Sequence, residues 1–306
     1  LELGRDGVVT GPRLARLVRG RSHPWPDHMR HYDSSGHEST YSAHLVITDL
    51  PFEMQVPGNG EWLLTLSDID RMGLPGEPNL DLAHDSKLLA KTRTALDATG
   101  LEVWDIELAR VLDDVDYDSY APAIAVGAEL GGRVLLTSVW TEDHAKQVDG
   151  LGKVAALAAE HGLKVVAEFV PLSKVKTMDE IAELIREVGA PNLGMLIDIY
   201  HWDRANTPLE AVDSLPPEWF PMVHLCDCPA AKPANLEALR EEVRERRLYV
   251  GEGGARIADL VRRLPDDTVF SIEQPHLERL RELGATEYAS RCLESAKRYF
   301  AENELG

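Results

Sequence analysis

Four short apolar runs in the second half of the chain each close on, or enclose, a residue type that ligates divalent metals. They are "VVAEFV" around Glu168, "GMLIDIYHW" with Asp198, "MVHLCD" with His224 and "FSIEQP" with Glu273. Three carboxylates and one imidazole make a mostly oxygen donor set. Such a set suits one Mn²⁺ or Mg²⁺ ion and also accommodates Zn²⁺, Co²⁺ or Fe²⁺. One carboxylate at a strand end is equally well the N-cap of the next helix. Four ligand types on four successive runs are harder to explain that way, because buried carboxylates are costly unless paired or bound to a cation.

Convergence of the four requires elements that bring strand ends to one rim. Runs rich in Val, Ile and Leu recur at 101–108, 132–140, 163–171, 192–200, 221–227 and 268–275. Near-continuous apolar runs suit strands buried on both faces, as in parallel sheets. Between them lie helical patterns at 143–162, 177–189, 235–247, 254–264 and 285–304. The first of these ends at Gly162, a C-cap residue. The second opens on Thr177 with Glu180 three residues on, the signature of a capping box. Alternating strand and helix implies right-handed crossovers and a parallel sheet. Six strands downstream of residue 100 leave room for two upstream, which predicts a (β/α)₈ TIM barrel, an α/β fold. "SAHLVITDL" (42–50) is the expected first strand, the second lies within 56–74, and "SKLLAKTRTALDATG" (86–100) is a helix leading into the third. Active sites of such barrels sit at the C-terminal strand ends.

The chain reads as one catalytic domain over 41–306 preceded by a polar, loose extension over 1–40. That extension holds His23, His28, His31 and His37 at spacings that match no metal site. With 306 residues and 44% hydrophobic content, a sizeable core can be buried. The 52 acidic and 32 basic residues give a formal charge of −20. That balance disfavours a nucleic-acid partner. No run of about 18 apolar residues spans a membrane, and "LELGRDGVVTGPRLARLVRG" lacks the apolar block of a signal peptide. Leu1 stands where a start methionine is expected, so the chain need not begin at its native start. Cys226, Cys228 and Cys292 make no disulfide framework, which fits a reducing cytoplasm. Self-association into a homo-oligomer stays open.

"VAEFVP", "LIDIYHW", "VHLCD" and "SIEQP", with "WDIELAR" (104–110) and "VGEGGARIADLV" (250–261), resemble the xylose-isomerase-like TIM-barrel superfamily, the sugar phosphate isomerase/epimerase group. The resemblance covers roughly 100–300. It implies that Glu168, Asp198, His224 and Glu273 bind one divalent metal. It also implies that Glu168 and Glu273 act as the catalytic acid and base, one taking and the other returning the proton next to a carbonyl of a sugar-like substrate. His201, three residues after Asp198, matches a substrate-contacting histidine of the epimerases.

Other residues at the same rim are candidates for substrate binding. Glu107 ends the third strand and can contact substrate or orient a ligand. Glu252 lies in "GEGG" and Asp227 follows "HLC"; each is either functional or a solvated loop carboxylate. Trp140 and Trp202 either line a sugar rim or belong to the core. Ketose epimerases carry an arginine a few residues after the ligand histidine, whereas 225–231 here is Leu-Cys-Asp-Cys-Pro-Ala-Ala and Lys232 is the cation nearest that place. A simple ketose epimerase is disfavoured on that ground. The expected reaction is isomerisation or epimerisation by proton abstraction beside a metal-chelated carbonyl. The rival is a lyase or dehydratase that shares the first half-reaction on an inosose, dehydroshikimate-like or 3-oxo-glycoside substrate. Metal-dependent phosphodiester cleavage and a non-enzymatic, degenerate barrel are weaker readings.

Overall fold

In the computed structural model of the chain, the described residues are five short N-terminal strands, then 82–99 and 102–305. Strands β1 (Glu2–Leu3) and β2 (Val9–Thr10) pair antiparallel with each other. A second antiparallel pair joins β3 (Ala15–Val18) to β4 (Ser42–Leu45). Seven parallel strands follow in chain order: β5 (Leu63–Ser67), β6 (Glu102–Val111), β7 (Val134–Val139), β8 (Lys164–Glu168), β9 (Leu193–Asp198), β10 (Met222–Leu225) and β11 (Val269–Ile272).

The β3–β4 pair sits between the two ends of this parallel array. β3 hydrogen-bonds to β11 antiparallel, and β4 comes alongside β5. Two expectations are corrected here. Within the run at 42–50, Ser42–Leu45 forms a strand, but its ladder runs antiparallel to Ala15–Val18 rather than parallel in a first βα unit. Ala15–Val18, within the segment read as a loose extension, contributes a strand to the sheet. The physical reason is that the outer edge of β11 presents unpaired backbone groups, and β3 satisfies them. The second strand falls at Leu63–Ser67, inside its expected window. The four N-terminal histidines, and the remainder of 56–79, lie outside the described residues.

Helices pack around the array as the sequence periodicity predicts. α1 (Ser86–Thr99), α2 (Ala121–Glu129), α3 (His144–Ala159) and α4 (Met178–Val188) alternate with strands β6 to β9, α2 being a helix that the sequence pattern did not mark. α4 starts with the expected capping box: Glu180 N–H donates to Thr177 Oγ1 at 3.3 Å, and Thr177 N–H donates to Glu180 Oε2 at 3.0 Å. α3 stops at Ala159, and Gly162 just beyond it takes a left-handed φ of 69° in the turn to β8. α5 (Ile199–Arg204) follows β9 directly. The helix predicted over 254–264 is regular only at Ile257–Val261, because the preceding glycine loop is held by Asp227, as described below.

Among the described residues, two buried layers frame the barrel. The larger lies between strands and helices and includes Ile106, Val111, Val165, Ile197, Val223 and Phe270. The smaller lies inside the barrel, where Val134, Leu136, Val166, Leu196, Met222 and Val269 fill the interior. This inner layer is the floor on which the functional residues stand.

Candidate metal centre

Side chains alternate along a strand, so the residue two places after an inward-facing one also faces inward. Val166, Leu196 and Met222 fill the barrel interior. Two places on from each stand Glu168, Asp198 and His224. From Val269 the same step passes through Ser271 to Glu273, just past the end of β11. The four side chains each offer a ligand atom, and these atoms lie within 4.8 Å of one another. Glu168, Asp198 and His224 are buried, with 8%, 0% and 2% of their surface exposed.

The geometry inside the cluster is that of donors facing a common point. His224 Nδ1 lies 2.8 Å from Glu273 Oε2 and 3.7 Å from Glu168 Oε1. Neither approach is aligned as a hydrogen bond: His224 Nδ1 and Glu168 Oε1 are both buried without a hydrogen-bond partner. The other ring nitrogen, Nε2, lies 3.5 Å from Glu107 Oε1. Asp198 divides its two oxygens. Oδ1 accepts from the N–H groups of Tyr200 (2.7 Å) and His201 (3.3 Å) and so caps α5, while Oδ2 faces the guanidinium of Arg247 at 2.7 Å.

The electrostatics follow from burial and crowding. Burial lifts the Glu168 carboxyl well above the usual range, and Asp198 and Glu273 push it further, against the pull of His224 and Arg247. Burial opposes the charged form of His224, but Glu273, Glu107 and Glu168 outweigh it and hold the imidazole at about 9. His201 goes the other way. Burial pushes it down to about 4, with Arg247 assisting against Asp198, so its ring is neutral at pH 7.

The remaining candidates separate into two groups. Glu107 joins the cluster through His224, which is the orienting arrangement open to it from sequence. His201 lies against the cluster too: its Nε2 is 3.9 Å from Asp198 Oδ2 and its buried Nδ1 has no hydrogen-bond partner. Asp227 turns away. Its carboxylate accepts from the N–H groups of Cys228 (2.8 Å), Gly253 (2.9 Å), Ala255 (3.0 Å) and Gly251 (3.1 Å), which makes it the organiser of the glycine loop rather than a contact in the cluster. Glu252 also faces elsewhere, pairing with Arg279 Nη1 at 2.7 Å and with the Tyr249 N–H at 3.2 Å. Trp140 donates from its indole N–H to Ser138 Oγ at 2.9 Å on the adjoining wall. Lys232 is bound to Asp203 at 2.7 Å on the surface, so it does not supply the cation missing from 225–231.

A family model described as xylose isomerase-like TIM barrel matches residues 70–296. The chain belongs to the xylose isomerase-like TIM barrel family. Solved structures similar to this xylose isomerase-like barrel include three of differing description. One is the IOLI protein with a binding zinc atom, with a TM-score of 0.63 and 17% identity over 78% of this chain and 88% of that one. Another is the probable 3-DHS dehydratase AsbF, involved in petrobactin synthesis, from Bacillus anthracis, with a TM-score of 0.58 and 16% identity over 77% and 89%. A third is D-allulose 3-epimerase from Methylomonas sp. in complex with D-allulose, with a TM-score of 0.53 and 17% identity over 78% and 86%. At these identities the likeness shows the fold. A search of curated proteins returns no significant match.

The donor set of this xylose isomerase-like barrel fits one divalent cation. Buried ligand atoms that approach within 4 Å without hydrogen-bonding one another are what a shared cation would satisfy. The second nitrogen of His224, turned to Glu107, follows the pattern in which a carboxylate orients a ligating imidazole. Arg247 is the residue that sequence reasoning missed. It sits in "RERRLYV", where Arg244, Arg246 and Arg247 look alike in sequence, and nothing local distinguishes the one that is buried at 2% exposure.

Proposed function

We propose that the protein is a divalent-metal-dependent enzyme that removes a proton from the carbon next to a carbonyl in a sugar or sugar-like hydroxy-carbonyl compound. Its reaction is isomerisation or epimerisation. The observation that carries this reading is the four-ligand cluster with two glutamates, Glu168 and Glu273, at the ends of strands separated by β9 and β10. An oxygen-rich set favours Mn²⁺ or Mg²⁺, and Zn²⁺, Co²⁺ and Fe²⁺ also suit it. When bound, such an ion polarises the substrate carbonyl and makes the neighbouring C–H acidic.

The chain's own residues supply the rest. One glutamate accepts the proton from one face of the substrate carbon, and the other delivers a proton to the opposite face or to the neighbouring carbon. Neutral His201, with a free buried Nδ1, is placed to hydrogen-bond a substrate hydroxyl. The inner layer of Val166, Leu196 and Met222 closes the floor against water. We place the enzyme in a reducing cytoplasm, acting on small carbohydrate-like molecules.

The second reading, a lyase or dehydratase, shares the proton removal. It differs in that a β-hydroxyl or glycosyl group then leaves. The diversity of similar structures, an epimerase and a probable dehydratase among them, supports keeping it.

The test is exchange of substrate α-hydrogen with solvent deuterium by the metal-loaded protein, on a panel of ketoses, inososes, keto-acids and 3-oxo-glycosides. Exchange with rearranged product supports isomerase or epimerase; loss of water or a leaving group supports the lyase. Glu168→Gln and Glu273→Gln keep a ligating oxygen but lose basicity, so each lowers exchange by roughly 10²-fold or more with metal retained. Absence of exchange across the whole panel would sink both readings.

A further inference from the structure

Four carboxylates surround His224 or its immediate partners: Glu107, Glu168, Asp198 and Glu273. Into this acidic cluster the chain inserts one permanent cation, Arg247. Its Nη1 lies 2.7 Å from Asp198 Oδ2 and 3.3 Å from Glu273 Oε2, so a single guanidinium nitrogen is shared by two of the three ligand carboxylates.

What sets Arg247 apart from a side chain that has merely fallen among carboxylates is the number of anchors that involve no ligand side chain. Its backbone N–H donates to Pro275 O at 3.1 Å. Its Nε donates to Val243 O at 3.1 Å, and Nη1 also donates to the backbone carbonyl of Glu273 at 3.1 Å. The next residue, Leu248, pairs with Asp227 in both directions, at 2.9 and 3.1 Å. The segment is thereby threaded between the ends of β10 and β11. The guanidinium carbon lies 5.0 Å from the centre of the Tyr200 ring, over which Arg204 also sits at 5.2 Å. Asp198 is held from its other side by the capped amides of α5. Asp198 is therefore gripped at both oxygens by groups that are themselves fixed.

We propose that Arg247 is a positioning residue of the metal centre: a built-in cation that orients Asp198 and Glu273 for one divalent ion and offsets the charge of the surrounding carboxylates. This rests on the metal-dependent reading of the site. Outer partners that hold ligand carboxylates typically contribute 10- to 100-fold in metal affinity or activity. The opposing effect is the repulsion between a guanidinium and a nearby dication. The backbone anchors decide between them. A guanidinium held by two carbonyls, on a backbone itself tied to a third, stays beside the carboxylates whether or not the ion is bound, so it acts as part of the frame and not as a competitor that leaves.

The experiment is a Mn²⁺ titration of the chelator-treated full chain without substrate, with free Mn²⁺ read by electron paramagnetic resonance and folding checked on the same samples by circular dichroism. Wild type is expected to take up one equivalent. Arg247→Met, which keeps the stem and removes the charge and its donors, is expected to bind about 10- to 100-fold more weakly. Arg247→Lys restores a cation but not the fork, and is expected to recover part of the loss; a purely structural role predicts no such rescue. Should Arg247→Met fail to fold, Arg247→Gln, a shorter side chain that keeps an amide donor and removes the charge, takes its place with the same expected direction. Unchanged or tighter Mn²⁺ binding by a folded neutral variant overturns the proposal while leaving the metal-dependent reading intact. Absence of divalent-ion binding by wild type overturns both.

Discussion

His224 presents its two ring nitrogens to two different carboxylates: Nδ1 lies 2.8 Å from Glu273 Oε2, and Nε2 lies 3.5 Å from Glu107 Oε1. One nitrogen faces the ligand cluster and the other faces a residue outside it. The tautomer that leaves Nδ1 free to ligate is the one that places the proton on Nε2, toward Glu107. Glu107→Gln keeps the size and an acceptor oxygen but removes the charge. It is expected to weaken divalent-metal binding by about 10-fold and to leave the stoichiometry at one. Isothermal titration of the metal-free variant checks this; equal affinity would remove Glu107 from the centre.

The crowding around His224 also sets a pH dependence. In the metal-free protein its imidazole is held at about 9, above the ordinary 6.5. A raised folded value stabilises the protein fully below the unfolded value, and that contribution is lost as pH rises through the folded one. Thermal stability of the chelator-treated protein is expected to fall between pH 6.5 and about 9 from this source. Because the ligating nitrogen must lose its proton, apparent metal affinity should climb over the same window with proton release. Calorimetry in buffers of different ionisation enthalpy measures the protons; no buffer dependence at pH 7 would contradict the assignment.

Asp198 and Arg247 should depend on each other. Asp198→Ala removes the helix cap of α5 and leaves a buried guanidinium without its nearest anion. Losing one partner of a buried pair costs about 3–5 kcal/mol. Adding Arg247→Met to Asp198→Ala is expected to cost less than the sum of the two single changes. A urea-unfolding cycle on the metal-free proteins reads this directly, and strict additivity would mean the pair is not coupled.

Asp227 is expected to behave as a structural residue. Four backbone N–H groups converge on its carboxylate and fold the loop over 251–255. Asp227→Ala leaves those donors without their acceptor and should destabilise the protein by at least about 2 kcal/mol. Metal stoichiometry should remain at one. Loss of metal with stability unchanged would return Asp227 to the functional set.

The loop held by Asp227 shows why the helix over 254–264 was only partly legible. Its apolar spacing reads as helix from Gly254 onward, yet the Ala255 N–H is committed to a carboxylate 28 residues earlier in the chain, so the helix begins at Ile257. The capping box at Thr177 needed no such information, because both its bonds close within four residues.

The amino-acid sequence by itself determined the parallel strands from 102 onward and singled out the four residues whose ligand atoms the fold brings together. Both are written in local periodicity: an apolar run marks a buried strand, alternation within it marks the inward face, and a carboxylate or imidazole at its end marks the rim. Only the tertiary structure decided the rest. It selected Arg247 over Arg244 and Arg246 for burial, turned Asp227 and Glu252 away from the cluster, and sent Lys232 to Asp203 on the surface. It also set β3 and β4 antiparallel beside β11. Each of these outcomes depends on partners distant in sequence, the carboxylate of Asp198 and the carbonyl of Pro275 for Arg247 and the open edge of β11 for β3. Which partner a charged side chain or an unpaired strand meets is set by long-range packing, and no local pattern records it.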